Sequence, residues 1–459
     1  MIHHRADAAI IGAGFGGSLT ALILDRLGLC VVLIERGRHP RFAIGESSTP
    51  LADMTLEALA ARYDLPRVAP LARYGRWRAT YPDMACGCKR GFSYFHHTSG
   101  LPFEPRDDHA NELLVAANSS DDVADTHWYR ADVDAFFVNE ARSAGLVYVD
   151  ETTLEEIESN AGGTWRLSGR RNSEPVQIEA AFLIDATGGA NPLAGAVEIG
   201  SDTESLRTNA RTLFGHFVGV KEWGGLYGAA VGRSCDHPFR CDDAALHHMF
   251  DGGWMWVLRF CNGITSAGFV LDARRFPLDA HRAPADEWHS LLARFPSIAA
   301  QFADARLALP FREIQRTARL QRLVGRAAGP GWAMLPAAAF FVDPLHSTGI
   351  AHTLCAVERL THVVGAHWAT PPLADAMHDY DQSLRREALW IDRLVHGCHA
   401  ALGRFDLMAS YAMCYFAAAT YSEHRLRSGR GDSSGFLHAN DARFQSVVAA
   451  CYEDLLGCV

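Results

Sequence analysis

The chain has 459 residues, 48% hydrophobic and 21% charged, and 43 Lys plus Arg against 53 Asp plus Glu leave a formal charge of −10. That balance excludes a disordered, collagenous or coiled-coil chain, and the surplus of acid argues against a nucleic-acid partner, which needs a basic face. No apolar run reaches the roughly 20 residues of a membrane helix, and 11 Cys without zinc-knuckle or Cys-x-x-Cys spacing read as reduced thiols of a cytoplasmic protein.

The N-terminal stretch is the most informative. Ala8–Ile11 predict a short buried strand, Gly12-Ala13-Gly14-Phe15-Gly16-Gly17 a turn, Ser18 to about Leu27 an apolar helix, and Cys30–Ile34 a second strand running into Glu35 and Arg36. Gly12 permits the tight turn, Gly14 lets a pyrophosphate approach the backbone, and Gly17 lets the helix pack close to the strand. The helix N-terminus presents unpaired N–H groups to phosphate, and Glu35 can accept from an adenosine ribose. This unit predicts dinucleotide binding without separating FAD from NAD.

Farther along, Ala181–Asp185 predict another buried strand, closed by the Gly188-Gly189 turn. The run Trp332–Phe341 leads through Asp343-Pro344 to Ser347-Thr348-Gly349-Ile350 and an apolar helix. Elements of one nucleotide site spread from Gly12 to Ile350 imply an interrupted domain, a layout that suits FAD oxidoreductases better than a compact NAD dehydrogenase. The expected fold is α/β. A doubly wound, Rossmann-type FAD domain takes residues 1–85, 125–200 and 313–370, and a sheet-based substrate domain takes 86–124 and 201–312. A helical region follows over 371–459, with Leu384, Ala388, Ile391, Leu394 and Val395 at helical spacing. Ser422 to Asp432 reads as an exposed loop.

Several motifs together resemble the flavin-dependent halogenases and related FAD monooxygenases. Gly45-Glu46-Ser47-Ser48-Thr49-Pro50 looks like that family's loop beside the flavin ring. Trp128-Tyr129-Arg130-Ala131-Asp132-Val133-Asp134 is similar to the stretch in which an Arg at a helix start meets FAD. Gly253-Trp254-Met255-Trp256-Val257-Leu258-Arg259 resembles W-x-W-x-I-P, with Leu-Arg in place of Ile-Pro. Phe341-Val342-Asp343-Pro344-Leu345-His346-Ser347-Thr348-Gly349 fits F-x-x-P-x-x-S-x-G.

The resemblance implies chemistry with reduced FAD and oxygen on an electron-rich aromatic ring, in a pocket that excludes water. It assigns Gly12, Gly14, Phe15, Gly16, Gly17, Glu35, Arg36, Glu46, Ser47, Ser48, Arg130, Asp185, Gly188, Asp343, Pro344, Thr348, Gly349 and Ile350 to the cofactor. Lys89, His346 and Ser347 are the catalytic candidates, with His346 as a general base. Trp254, Trp256 and Phe341 are assigned to the substrate side, although paired Trp at i and i+2 of a strand fit a packed core equally well. Lys89 is either the lysine that presents hypohalous acid or a solvated strand end. Leu335-Pro336 replaces the Gly-Asp of related flavoproteins and puts one ribityl contact in doubt. No second G-x-G-x-x-G is present, so a separate flavin reductase is expected.

The stretches around Lys89 and Asp125–Arg130 further resemble flavoproteins that hydroxylate a peptidyl Trp during tryptophylquinone maturation. That is the favoured expectation, with a protein or peptide as substrate. Halogenation of a phenol, pyrrole or indole is the alternative, and a non-catalytic flavin-binding partner or an NAD dehydrogenase the further ones. No metal site is expected, because His96-His97 and His247-His248 point to opposite faces of a strand. Asp121-Asp122 and Asp242-Asp243 read as solvated loop charges.

Overall fold

A computed structural model describes residues 2–160, 163–231, 236–429 and 434–459. In chain order the elements used below are β1 (Ile2–Ile11), α1 (Phe15–Arg26), β2 (Val31–Ile34), α2 (Pro50–Arg62), β3 (Cys86–Lys89), β4 (Gly91–His97), β5 (Glu112–Ala116) and β6 (Asp125–Trp128). They continue with α3 (Arg130–Ser143), β7 (Val147–Val149), β8 (Thr152–Ser159), β9 (Trp165–Arg171), β10 (Glu174–Asp185), β11 (Ala210–Val218), β12 (Ala245–Phe250), β13 (Gly253–Arg259) and β14 (Thr265–Asp272). The last are β15 (Trp332–Met334), α4 (Thr348–His367), α5 (Pro372–Ala400), α6 (Phe405–Arg427) and α7 (Ala442–Leu456).

β15, β10, β1, β2 and β7 lie side by side and parallel, as apolar strands buried on both faces require. β9 and β8 extend the sheet antiparallel along the first half of β10. Ile11 pairs with both Ile34 and Asp185, and Asp185 pairs with Met334. Four strands therefore finish level, and the loops after them gather at one edge, where open parallel sheets bind ligands.

The second large sheet runs β11-β14-β13-β12-β4-β5 and is antiparallel except between β12 and β4. Side chains alternate across it. Phe92, Tyr94, Trp254 and Trp256 join the main core, whereas Phe95, Met255, Val257 and Phe269 build a second core with Trp288 and Phe295. Residues 315–316 also pair with β11, so this sheet runs past the expected boundary at 312. β3 and β6, assigned by sequence to different domains, pair with each other as a two-stranded ribbon.

The C-terminal region consists of α5, α6 and α7. The loop expected from Ser422 is corrected: α6 continues to Arg427 with Ser422 buried, and residues 430–432 lie outside the described ones. Among the described residues no helix is long and apolar enough to cross a membrane.

Candidate active site

At the level strand ends, Gly12 has φ +99°, and a Cβ there would sit 2.7 Å from Ala186 O. A Cβ on Gly17 would lie 2.0 Å from Gly12 O, so α1 docks on the turn only without a side chain. Gly14 is different: its nearest neighbour would be Arg130 Nη2 at 3.4 Å. Two guanidinium groups converge here. Arg130 donates to both Asp134 oxygens (2.9 and 3.0 Å) and to the Ile44 and Gly45 carbonyls, while Asp134 Oδ1 accepts from Phe15 N–H at 3.1 Å. Arg41 donates to Glu35 at 3.0 Å and lies 3.6 Å from Asp134. Burial pushes the Glu35 carboxyl up, but Arg41 and the Gly37 and Ala13 N–H groups outweigh it and hold it below its ordinary value. Arg36 is exposed.

Asp185 holds its own turn, accepting from Thr187 N–H and Oγ1 and from Leu193 N–H, and Gly188 takes φ +68°. Leu335 donates its N–H to Asp185 O and packs its Cδ1 near Gly16, so no carboxylate stands where Gly-Asp would place one. Asp343 is buried and turned away, with Oδ1 accepting from Leu345 N–H and Oδ2 from His399 Nε2 on α5 (3.1 Å). After Pro344, Ser347 adopts the left-handed conformation (φ 54°) and opens α4, leaving the first-turn N–H groups of Thr348, Gly349 and Ile350 without partners inside the helix.

The Gly45–Ser48 loop runs as a strap along β6. Trp128 N–H donates to Glu46 O, Ser47 bridges to His127, and Ser48 N–H donates to Thr126 O at 3.0 Å. Glu46 is buried, with Oε1 2.8 Å from His216 Nε2 on β11, and the Ser47 hydroxyl is buried without a hydrogen bond. Ser48 Oγ donates to Asp53 at the start of α2.

Lys89 is 0% exposed, which overturns the solvated strand end. Its Nζ donates to Ser48 O and lies 4.2 Å above the Phe92 ring. Burial pulls the amine down to about 8 against the opposing pull of Asp125 and Asp53. The chain contains only two lysines, Lys89 and Lys221. Around Lys89 the rings form a continuous wall. Phe92 meets Phe416 at 5.4 Å, Tyr94 stacks on His247 at 4.5 Å, and His247 meets Trp254 at 5.3 Å. Trp254 meets Trp256 at 6.1 Å, and Trp256 meets Phe214 at 6.2 Å. Both Trp are therefore core side chains and part of this wall at once. Phe341 packs instead under the Arg322 guanidinium, 5.6 Å away.

The fold is shared with solved proteins. Halogenase PltM in complex with phloroglucinol and FAD superposes with a TM-score of 0.87 at 26% identity, covering 98% of this chain and 91% of that one. Tetracycline 7-halogenase of Kitasatospora aureofaciens is 29% identical over 434 residues, 92% of this chain and 74% of that protein. Monodechloroaminopyrrolnitrin halogenase PrnC of Pseudomonas fluorescens is 28% identical over 427 residues, 92% and 72% respectively. The chain is thus similar to flavin-dependent halogenases over nearly all of its length. No family model matches it.

The protein is accordingly an FAD-dependent oxidoreductase. Its own residues fit the cofactor: a glycine turn open at Gly14, helix N–H groups, two flanking guanidinium groups, and Glu35 at the end of β2. Arg41, Asp134 and His216, which hold Glu35, Arg130 and Glu46, escaped the sequence reading, as did Asp53, Asp125, Tyr415 and Phe416 around the lysine. The count of two lysines was the signal for Lys89.

Three expectations need correction. His346 is buried and stacked on Tyr415 at 4.2 Å, and burial pushes its imidazole down to about 3, which makes it a poor proton acceptor. Asp343 organises its loop and holds His399, so its carboxylate does not replace the missing Gly-Asp. Asp242 is no solvated charge: it is buried and accepts from the Trp223 and Gly224 N–H groups. The adjacent histidines do face opposite ways; His97 and His248 meet across β4 and β12 at 2.9 Å. Among the described residues no group of three or more His, Cys, Asp or Glu is placed to hold a metal.

Proposed function

We propose that the protein is an FAD-dependent halogenase of a small electron-rich ring, a phenol, pyrrole or indole, and that Lys89 presents the oxidised halogen to it. The observation that carries this reading is the placement of one of only two lysines, fully buried between the Gly45–Ser48 loop and a wall of aromatic rings. Glu35 would hold the adenosine ribose, Arg41, Arg130 and the α1 N-terminus the pyrophosphate, and the Gly45–Ser48 loop with the start of α4 the flavin end. Bound FAD, reduced and supplied with oxygen and halide, provides hypohalous acid.

The chain's own residues do the rest. An ammonium at Lys89 donates a hydrogen bond to the hypohalous oxygen and makes the halogen more electrophilic. The aromatic wall excludes water and seats a flat ring. Carbon–halogen bond formation with loss of the ring proton returns water. Reducing equivalents come from a separate flavin reductase.

Hydroxylation of a peptidyl Trp has less support. The relatives named above are halogenases, and direct oxygen transfer has no use for a sealed ammonium. The test supplies a flavin reductase, FAD, oxygen, bromide and a panel of phenols, pyrroles and indoles, with a Trp-containing protein alongside. Bromine isotope doublets are expected, lost by at least about a hundredfold in Lys89→Ala with FAD binding intact. Oxygen incorporation without bromine in the wild type would overturn the reading.

A further inference from the structure

Lys89 and Asp125 are register partners across the β3–β6 ribbon, and both are fully buried. A third buried group, Asp53, enters from α2 with Oδ1 taken by the Ser48 hydroxyl, the same residue whose carbonyl receives Lys89 Nζ. Neither Asp125 oxygen nor Asp53 Oδ2 makes a hydrogen bond of good geometry. One cation thus faces two carboxyl groups in a space closed to water.

Among the remaining titratable groups Arg73 pulls both carboxyl groups down, less strongly than burial raises them, and the others do not relieve the excess. His127 on β6 and His247 on β12 are each pushed down to about 3, by burial first, and stay neutral. Tyr415 is pushed up by burial. Glu423 on α6 is raised to about 7 by burial and then by Asp125, with Arg427 and Arg73 opposing. Two ionised carboxylates beside a single ammonium would leave a buried negative charge unpaired, so one proton stays on the pair. Burial and then Asp125 raise Asp53 well above the carboxylate range, whereas Lys89 opposes the rise of Asp125. Both carboxyl groups are raised, and Asp125, as the register partner of Lys89, is the one placed to keep the charge, leaving the shared proton to Asp53.

We propose that Asp125, with Asp53 as its proton-bearing neighbour, is the positioning residue for Lys89, keeping it an ammonium in the site. This deepens the halogenase reading and rests on Lys89 being the group that meets the oxidised halogen. Removing an opposite charge within about 4–6 Å lowers an amine by roughly 1–3 pH units. From a midpoint of about 8, the charged fraction at pH 7 then falls from about nine-tenths to half or less.

With two lysines in the chain, lysine labelled with carbon-13 at Cε gives two resonances, and exposed Lys221 is the internal control. The FAD-loaded protein is titrated from about pH 6 to about pH 11. In the wild type, Lys89 should titrate near 8. Asp125→Asn should lower its midpoint by at least about one unit. Asp53→Asn keeps a neutral group of the same shape beside Asp125, and the midpoint should move by less than about half a unit. The pH optimum of bromination should follow the midpoint.

A wild-type Lys89 that titrates at the ordinary lysine value of about 10.4, an unmoved midpoint in Asp125→Asn, or an equal drop in Asp53→Asn would each overturn the proposal. The wild-type titration decides even if Asp125→Asn loses its flavin absorbance. Because it needs no turnover, its failure is distinct from an absence of bromination.

Discussion

Two glycines of one turn should fail in opposite ways. At Gly17 an added Cβ would lie 2.0 Å from Gly12 O and 3.0 Å from Ala186 Cβ, backbone and short side chain that cannot swing aside. Relief requires α1 to lift off the turn, an overpacking that costs about 1–3 kcal/mol. For a chain of this size Gly17→Ala should then melt several degrees lower, at roughly 2–4 °C per kcal/mol or less. At Gly14 the nearest atom would be the flexible Arg130 Nη2 at 3.4 Å, an ordinary contact, so Gly14→Ala costs the apoprotein almost nothing. The methyl group fills the approach of the pyrophosphate, and FAD affinity should fall at least tenfold, about 1.4 kcal/mol. Thermal melting of both apoproteins and flavin fluorescence titration separate the two effects. Wild-type FAD affinity in Gly14→Ala, or equal melting temperatures for the two variants, would refute the assignment of roles within the turn.

Two further outcomes are expected. His346→Phe keeps the stack on Tyr415 and should lower bromination less than about tenfold, whereas loss of a true general base costs 10²–10⁴. Glu387, buried between α4 and α5, accepts from His352 and Arg359 at 2.7 Å each and from Phe436 N–H at 2.9 Å. Burial pushes its carboxyl up, but Arg359 and His352 outweigh this and bring it down to about 2. A depressed carboxyl stabilises the fold fully above its unfolded value of about 4.3, and that contribution is lost as pH falls toward 2. Denaturation of Glu387→Ala should show a deficit of about 3 kcal/mol at pH 7 that narrows below about pH 4. The same deficit at both pH values would contradict it.

What could be read in advance was local. The turn at Gly12–Gly17 is legible because its steric demands lie within the motif or against Ala186, and Glu35 because it ends the next strand. The helical spacing through Leu384 and Val395 marks α5, whose buried face carries that pattern. What could not be read depends on register and closure. Asp125 becomes a partner of Lys89 only when β3 and β6 pair, and Phe416 joins the wall only when α6 folds over residues more than three hundred positions earlier. The same holds for the errors. Polar Ser422–Arg427 looked like a loop because a helix with one wet face and a polar loop share a composition. Asp242 looked solvated because its partners are backbone N–H groups that leave no mark in the sequence.

The ribbon of β3 and β6 has a mechanical meaning. The peptide units on either side of the Ser48 α-carbon are engaged: its N–H is tied to Thr126 on β6, and its carbonyl receives the ammonium from β3. The loop is therefore held to β6 by its backbone and to β3 through the Lys89 side chain. A push on that loop is geared directly to where the charge points, and a one-residue slip in the ribbon would turn Lys89 to the opposite face.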